Sequence, residues 1–172
     1  MKAKYLYFAT VVAASLAISA LPSSAAETKA SSTDATFIKH AADVNMAEIQ
    51  LGKIAQDNSQ DQAVKDFGAR MVKDHSNAED QLKPIAEKMN VEIPDHVSPA
   101  HQALIDKVSK LKGAEFDKEY DPAMVKGHKK AIAMFEKAKS NVKDSDLQKY
   151  AENTLPVLHE HLDLAKKLPS SK

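Results

Sequence analysis

Apolar residues recur along this chain at spacings of three and four, in four separate stretches. The first reads Phe37, Ala41, Val44, Glu48, Leu51, Ala55, and the second Met71, His75, Ala78, Leu82, Ile85, Met89. The third reads Met124, His128, Ala131, Phe135, Ala138, Val142, and the fourth Leu147, Ala151, Thr154, Leu158, His161, Ala165, Leu168. That spacing lines one face of an α-helix, so four long amphipathic helices are predicted. Each stripe also carries an ionisable residue: Glu48, His75, His128 or His161. These point where the shared core should lie, and ionisable groups inside a core need partners.

Punctuation between the stripes sets the order of elements. The first helix is expected over 34–57. Ser59 to Gln62 has the S-x-x-Q form of a capping box and opens a second helix that runs to about Met89. Asn90 to Val97 connects it onward, and Ser98-Pro99 reads as N-cap and first turn of a short extra helix ending near Lys112. After Gly113 a third long helix covers 114–140. Ser145 to Gln148 is another S-x-x-Q box, opening a fourth that ends near Leu168, before Pro169. Pro84, Pro122 and Pro156 fall inside these helices and should kink or break them. Helix 3 is expected to continue through Pro122, because Phe116, Tyr120 and Met124 keep the helical spacing. Short links make helices 1 and 2, and helices 3 and 4, antiparallel neighbours. The fold class is therefore all-α, an antiparallel four-helix bundle over 34–168 with a short helix between the second and third.

What precedes the bundle has a different character. Lys2 and Lys4, an almost uncharged apolar run from Leu6 to Leu21, and small residues at Ser24-Ala25-Ala26 form a secretory signal over 1–26. Residues 27–33 read as a disordered tether and 169–172 as a tail. The chain has no cysteine, which excludes disulfides, thiolate ligands and a lipid anchor on a leader cysteine. A soluble periplasmic protein is expected, with peripheral outer-membrane association allowed. Of 24 basic and 24 acidic side chains, export removes two lysines and leaves a formal charge of −2. No basic stretch alternates with aromatic residues, so nucleic-acid binding is not expected.

Seam residues share a site only if they share a height. At ~1.5 Å per residue from a common end, Glu48, His75, His128 and His161 lie roughly 15, 20, 18 and 24 Å along their helices. They fall within about 10 Å along the axis, which permits a cluster. Two readings compete. One is a structural hydrogen-bond network that fixes helix register. The other is a mononuclear zinc or copper site with Glu48, His75, His128 and His161 as ligands. Asp74, Glu79, Asp117 and Tyr120 are the expected supporting partners. A di-iron centre would need Glu-x-x-His pairs, and Val72, Val125 and Leu158 stand where those carboxylates belong. His40, His96, His101 and His159 are expected to be solvated. No glycine-rich phosphate loop, G-x-S-x-G or H-E-x-x-H is present.

Several segments, in this order, carry a resemblance. They are Phe37 to Ala42, Asn45 to Ile49, Arg70 to His75, Phe116 to Tyr120, Met124 to His128, and Thr154 to Leu158 with His161-Leu162. Together they resemble the bacterial family called domain of unknown function 4142. The resemblance spans Phe37 to Leu168 and implies an exported, ferritin-like four-helix bundle of the kind often labelled outer-membrane protein. It marks Glu48, Asp74, His75, Asp117, Tyr120, His128 and His161, with Pro156 as a shared feature and Pro84 and Pro122 as departures. It implies no reaction. Three functions follow, in order: a periplasmic metal-binding bundle, an envelope interaction or stress-protection protein that docks a protein partner, and, last, an enzyme using the same cluster.

Overall fold

The computed structural model describes residues 30–170, which form five α-helices and no strand. They are α1 (Ser32–Asn58), α2 (Gln62–Lys88), α3 (Pro99–Val108), α4 (Gly113–Asn141) and α5 (Ser145–Ala165). The expected leader lies outside the described residues. No helix among them is long and apolar enough to cross a membrane.

Helix α1 starts at Ser32, ahead of the expected Asp34, because the Ser31 hydroxyl accepts from the Asp34 amide. Residues 32 and 33 therefore belong to the helix and not to a tether. At the other terminus Ser170 is tied down, its amide donating to Asp121 Oδ2 at 2.8 Å.

Both expected capping boxes are displaced. Asp61, not Ser59, caps α2, its carboxylate accepting from the amides of Ala63 and Val64. Asp144, not Ser145, caps α5, accepting from Asp146 and Leu147. Aspartate and serine are comparable caps, and the positive end of the helix adds a preference for the carboxylate. The serine thus freed, Ser59, donates to Asp117 Oδ1 at 2.6 Å. Two helix ends also fall short of expectation. Helix α3 stops at Val108, where Asn58 Nδ2 donates to the carbonyls of Val108, Ser109 and Leu111 and fastens the chain end to α1. Helix α5 stops at Ala165.

Pro84, Pro122 and Pro156 sit inside helices that continue unbroken through them. All three are exposed, and so are Asp80, Lys118 and Glu152, whose carbonyls the prolines leave without a helical donor. The lost bonds fall on the solvent side.

Helix α1 packs against α2 and α4 against α5, with further contacts between α2 and α5 and between α1 and α4. The interior consists of two apolar clusters. One gathers Phe37, Leu82, Phe135, Leu147, Tyr150 and Leu158 with their neighbours. The other gathers Leu51, Phe67, Met71, Phe116, Tyr120 and Met124. On every long helix the change from one cluster to the other falls at a buried polar residue. In α2 it lies between Ala78 and Met71, at His75; in α4 between Ala131 and Met124, at His128; in α5 between Leu158 and Ala165, at His161. In α1 it lies between Ala42 and Ala47, at Asn45, one turn before Glu48.

Candidate metal centre

The three histidines of this polar layer come together. His75, His128 and His161 are 3%, 1% and 1% exposed. Their ring centroids are 6.0 Å apart for His75 and His128, and 5.4 Å apart for each of the pairs that include His161. A ring nitrogen from each lies within 4.8 Å of those of the other two.

The opposite nitrogen of each ring is held by a group that fixes its proton. His128 Nδ1 lies 2.9 Å from the Met124 carbonyl, which can only accept. His161 Nε2 lies 2.9 Å from Asp74 Oδ2. Burial alone would raise the Asp74 carboxyl, but the bonds from His161 and Arg70 outweigh it and hold it below the usual carboxylate range. That partner is therefore an anion and accepts. His75 Nδ1 lies 3.0 Å from Asn45 Oδ1. The Asn45 orientation is set in turn, because its Nδ2 donates to Glu79 Oε2 and to Tyr150 Oη.

Each imidazole thus carries its proton on the nitrogen that faces its partner. His75 Nε2, His128 Nε2 and His161 Nδ1 are left, and these are buried atoms with no protein hydrogen-bond partner. Neutral rings in these tautomers offer a lone pair there and no donor. Burial drives His75 well below its ordinary pKa, with His161 and His128 adding to the effect. It drives His161 down to about 4, against the opposing bond to Asp74. Three unprotonated nitrogens with fixed outer partners match the construction of a metal site.

Glu48, expected as a fourth ligand, does not join the group whose ligand atoms share the 4.8 Å spacing. It is buried with Oε1 beside Gly127 of α4, at ordinary contact distance (3.5 Å) from where a Cβ would stand there. Burial pushes its pKa up, with His128 and His101 pulling the other way. Its Oε2 has no protein hydrogen-bond partner.

The supporting residues divide. Asp74 orients His161, and Glu79 reaches His75 through Asn45. Asp117 is spent on Ser59 at the α1–α2 turn. Tyr120 stacks on Phe116 at 4.9 Å, and its hydroxyl has no protein partner. Burial raises the Tyr120 pKa well above its ordinary value, with Glu48 and Asp121 adding to the shift. His40, His96 and His159 are exposed. His101 is not simply solvated: its Nδ1 lies 3.0 Å from Asp43 Oδ2, and Asp43 also accepts from the Ser98 amide, which seats α3 on α1.

Sequence reasoning missed Asn45, Arg70 and the Met124 carbonyl. Asn45 could have been found, since it lies four residues after Ala41 and three before Glu48, on the buried face. Nothing in a sequence marks a backbone carbonyl as a histidine partner.

Two solved structures share this fold. A crystal structure of a DUF305 fragment from Deinococcus radiodurans superposes with a TM-score of 0.70 at 14% identity, covering 80% of this chain and 95% of that one. CopM in the Cu(I)-bound form gives a TM-score of 0.65 at 15% identity, covering 78% of this chain and 93% of that one. At such identities the likeness is one of fold alone. No curated protein matches the chain. A family model does match, over residues 19–168, and the chain therefore belongs to the family described as Domain of unknown function (DUF4142).

Proposed function

We propose that this protein binds one copper or zinc ion at His75, His128 and His161, and that copper(I) is the better fit. One observation carries the reading: each ring has its proton on the far nitrogen, and the three remaining nitrogens have no protein partner. A structural network would pair them, since a buried polar atom without a hydrogen bond is costly. Three lone pairs with no donor among them call for a cation. Imidazoles suit copper and zinc. The charge decides between the two. Imidazoles that ligate through a lone pair bring no charge, and the electrostatic cost of burying an ion grows with the square of its charge, so a monovalent ion is favoured. That a similarly folded protein, CopM, is described in a Cu(I)-bound form agrees with this choice.

The four long helices form an antiparallel ferritin-like bundle in this reading. Asn45 reaches Glu79 while Gly52 meets Gly68, so contacts on α1 and α2 run in opposite senses. The Lys2–Ala26 leader pattern supports a periplasmic location, where the protein would hold or pass on the metal without catalysing a reaction.

The test is metal analysis of the purified protein and thermal melting with copper(I) or zinc(II). One equivalent of metal per chain is expected, with a rise in melting temperature that His75→Ala and His128→Ala each abolish. Absence of stoichiometric metal and of any shift with either ion overturns the reading.

A further inference from the structure

The three histidines are closed off from solvent, so an ion reaches them only if something moves. Two of the rings are backed by interior groups. Asn45, behind His75, is 2% exposed, and His128 is backed by the carbonyl of its own helix. His161 differs. Its Nε2 bonds Asp74, Asp74 bonds the Arg70 guanidinium, and Arg70 Nη2 bonds Glu160 Oε2 at 2.9 Å. Side-chain exposure climbs along this chain, from 1% at His161 to 19% at Asp74, 39% at Arg70 and 55% at Glu160. A charged path thus runs from the core to the surface between α2 and α5. Beside Arg70, a cavity of about 270 Å³ opens directly onto Asp74, and Asn77, Gln81, Asn153 and Thr154 give it oxygen and amide walls.

We propose that this seam is the port through which the metal ion enters and leaves the cluster, with Arg70 as its latch and Asp74 and Glu160 as a transient cation site at its mouth. The proposal rests on the metal-binding reading above. Arg70 now sits between two carboxylates. When its guanidinium swings away, Asp74 faces the polar cavity and Glu160 stands exposed at the surface beside the vacated place, and the two attract a hydrated cation, which takes over the charge that Arg70 neutralised. Asp74 holds His161 through Nε2, the side of the ring away from the ligating Nδ1, so an Asp74 drawn to the cation also frees that ring to turn and admit the ion. Ion pairs between partly exposed side chains are weak and screened by salt, so the latch opens readily.

Stopped-flow exchange of copper(I) with a chromophoric chelator tests this on the whole mature protein. Arg70→Ala should speed both loading and release about fivefold, while the equilibrium affinity stays within about threefold. Glu160→Gln, at an exposed position, should slow loading and flatten its dependence on salt. Copper binding with rates unchanged in both variants overturns the port and leaves the metal site standing. Faster release alone, matched by lost affinity, also overturns it, because Arg70 would then only prop Asp74. Failure of the unsubstituted protein to bind copper overturns the metal reading itself, along with the port.

Discussion

His75 donates its Nδ1 proton to Asn45 Oδ1 across 3.0 Å, and that single bond decides which nitrogen of the ring faces the cluster. Asn45 has no freedom to turn over, since its amide nitrogen is committed to Glu79 and Tyr150. Replacing it with leucine keeps the volume and removes the orienting bond. Asn45→Leu should weaken metal binding by about 10- to 100-fold, in line with the loss of an outer partner. It should also cost about 1–3 kcal/mol of stability, because Glu79 and Tyr150 lose their shared partner. Competition with a metal indicator and urea unfolding of the metal-free protein measure the two effects.

Asp121 gives a stability profile of known sign. Its Oδ1 is buried without a protein partner, and burial raises its pKa to about 6, with Asp117 and Asp61 adding and the Ser170 amide opposing. A carboxyl raised above its unfolded value supports the fold fully below about pH 4, and that support is lost as pH rises through 6. Asp121→Asn keeps an acceptor for Ser170 and removes the charge. Relative to the unsubstituted protein, it should gain roughly 1–3 kcal/mol between pH 4 and pH 7. Urea unfolding at the two pH values should show that widening difference; a constant difference would refute it.

His161 acts in the opposite direction. Burial lowers its pKa to about 4, despite the bond to Asp74. A buried neutral histidine takes up its proton only in the unfolded chain between about pH 6.5 and 4, so stability is present above that window and falls within it. The contribution is roughly 3 kcal/mol. Imidazole NMR signals of the metal-free protein should show His161 still neutral at pH 5, where an ordinary histidine is mostly charged. His161→Gln should lose this part of the acid sensitivity. A His161 midpoint near 6.5 would contradict the burial seen here.

The helices were legible because their apolar spacing is strong and their links are short. The polar layer was legible too, since Glu48, His75, His128 and His161 interrupt stripes that are otherwise apolar. Estimating axial rise from the turns brought the histidines to one level, but it could not tell which way a carboxylate bends. Glu48 lies near enough to act on His128 electrostatically and still falls outside the histidine group. The caps failed for a simpler reason. Asp61 and Asp144 stand close to the serines of both boxes, and position along the chain does not rank two adjacent acceptors. Arg70 escaped notice because a surface arginine in a sequence looks the same whether it faces water or latches a buried aspartate.

Close approach of α1 and α2 supports the centre from the side. A Cβ added at Gly52 would fall 2.5 Å from the Gly68 carbonyl oxygen, and one at Gly68 would fall 2.7 Å from the Gly52 oxygen. Real atoms do not approach so closely, and the obstacle is backbone, so the two helices would have to move apart. The two glycines are there for this contact. Inside a helix alanine is ordinarily the better residue by about 1 kcal/mol, so propensity alone would make the substitution stabilising. Overpacking costs typically about 1–3 kcal/mol and should win here. Gly52→Ala and Gly68→Ala are each expected to lower the melting temperature. Met71 lies against this contact, its Cβ 3.2 Å from where a Cβ on Gly52 would stand, one turn before His75. Separating the helices at this level should therefore displace His75 as well, and both variants should bind copper(I) more weakly than their loss of stability alone accounts for. Melting curves with and without the metal separate the two effects. A variant that melts higher, or keeps its full copper-induced shift, would show that the helices can part here without disturbing the histidines.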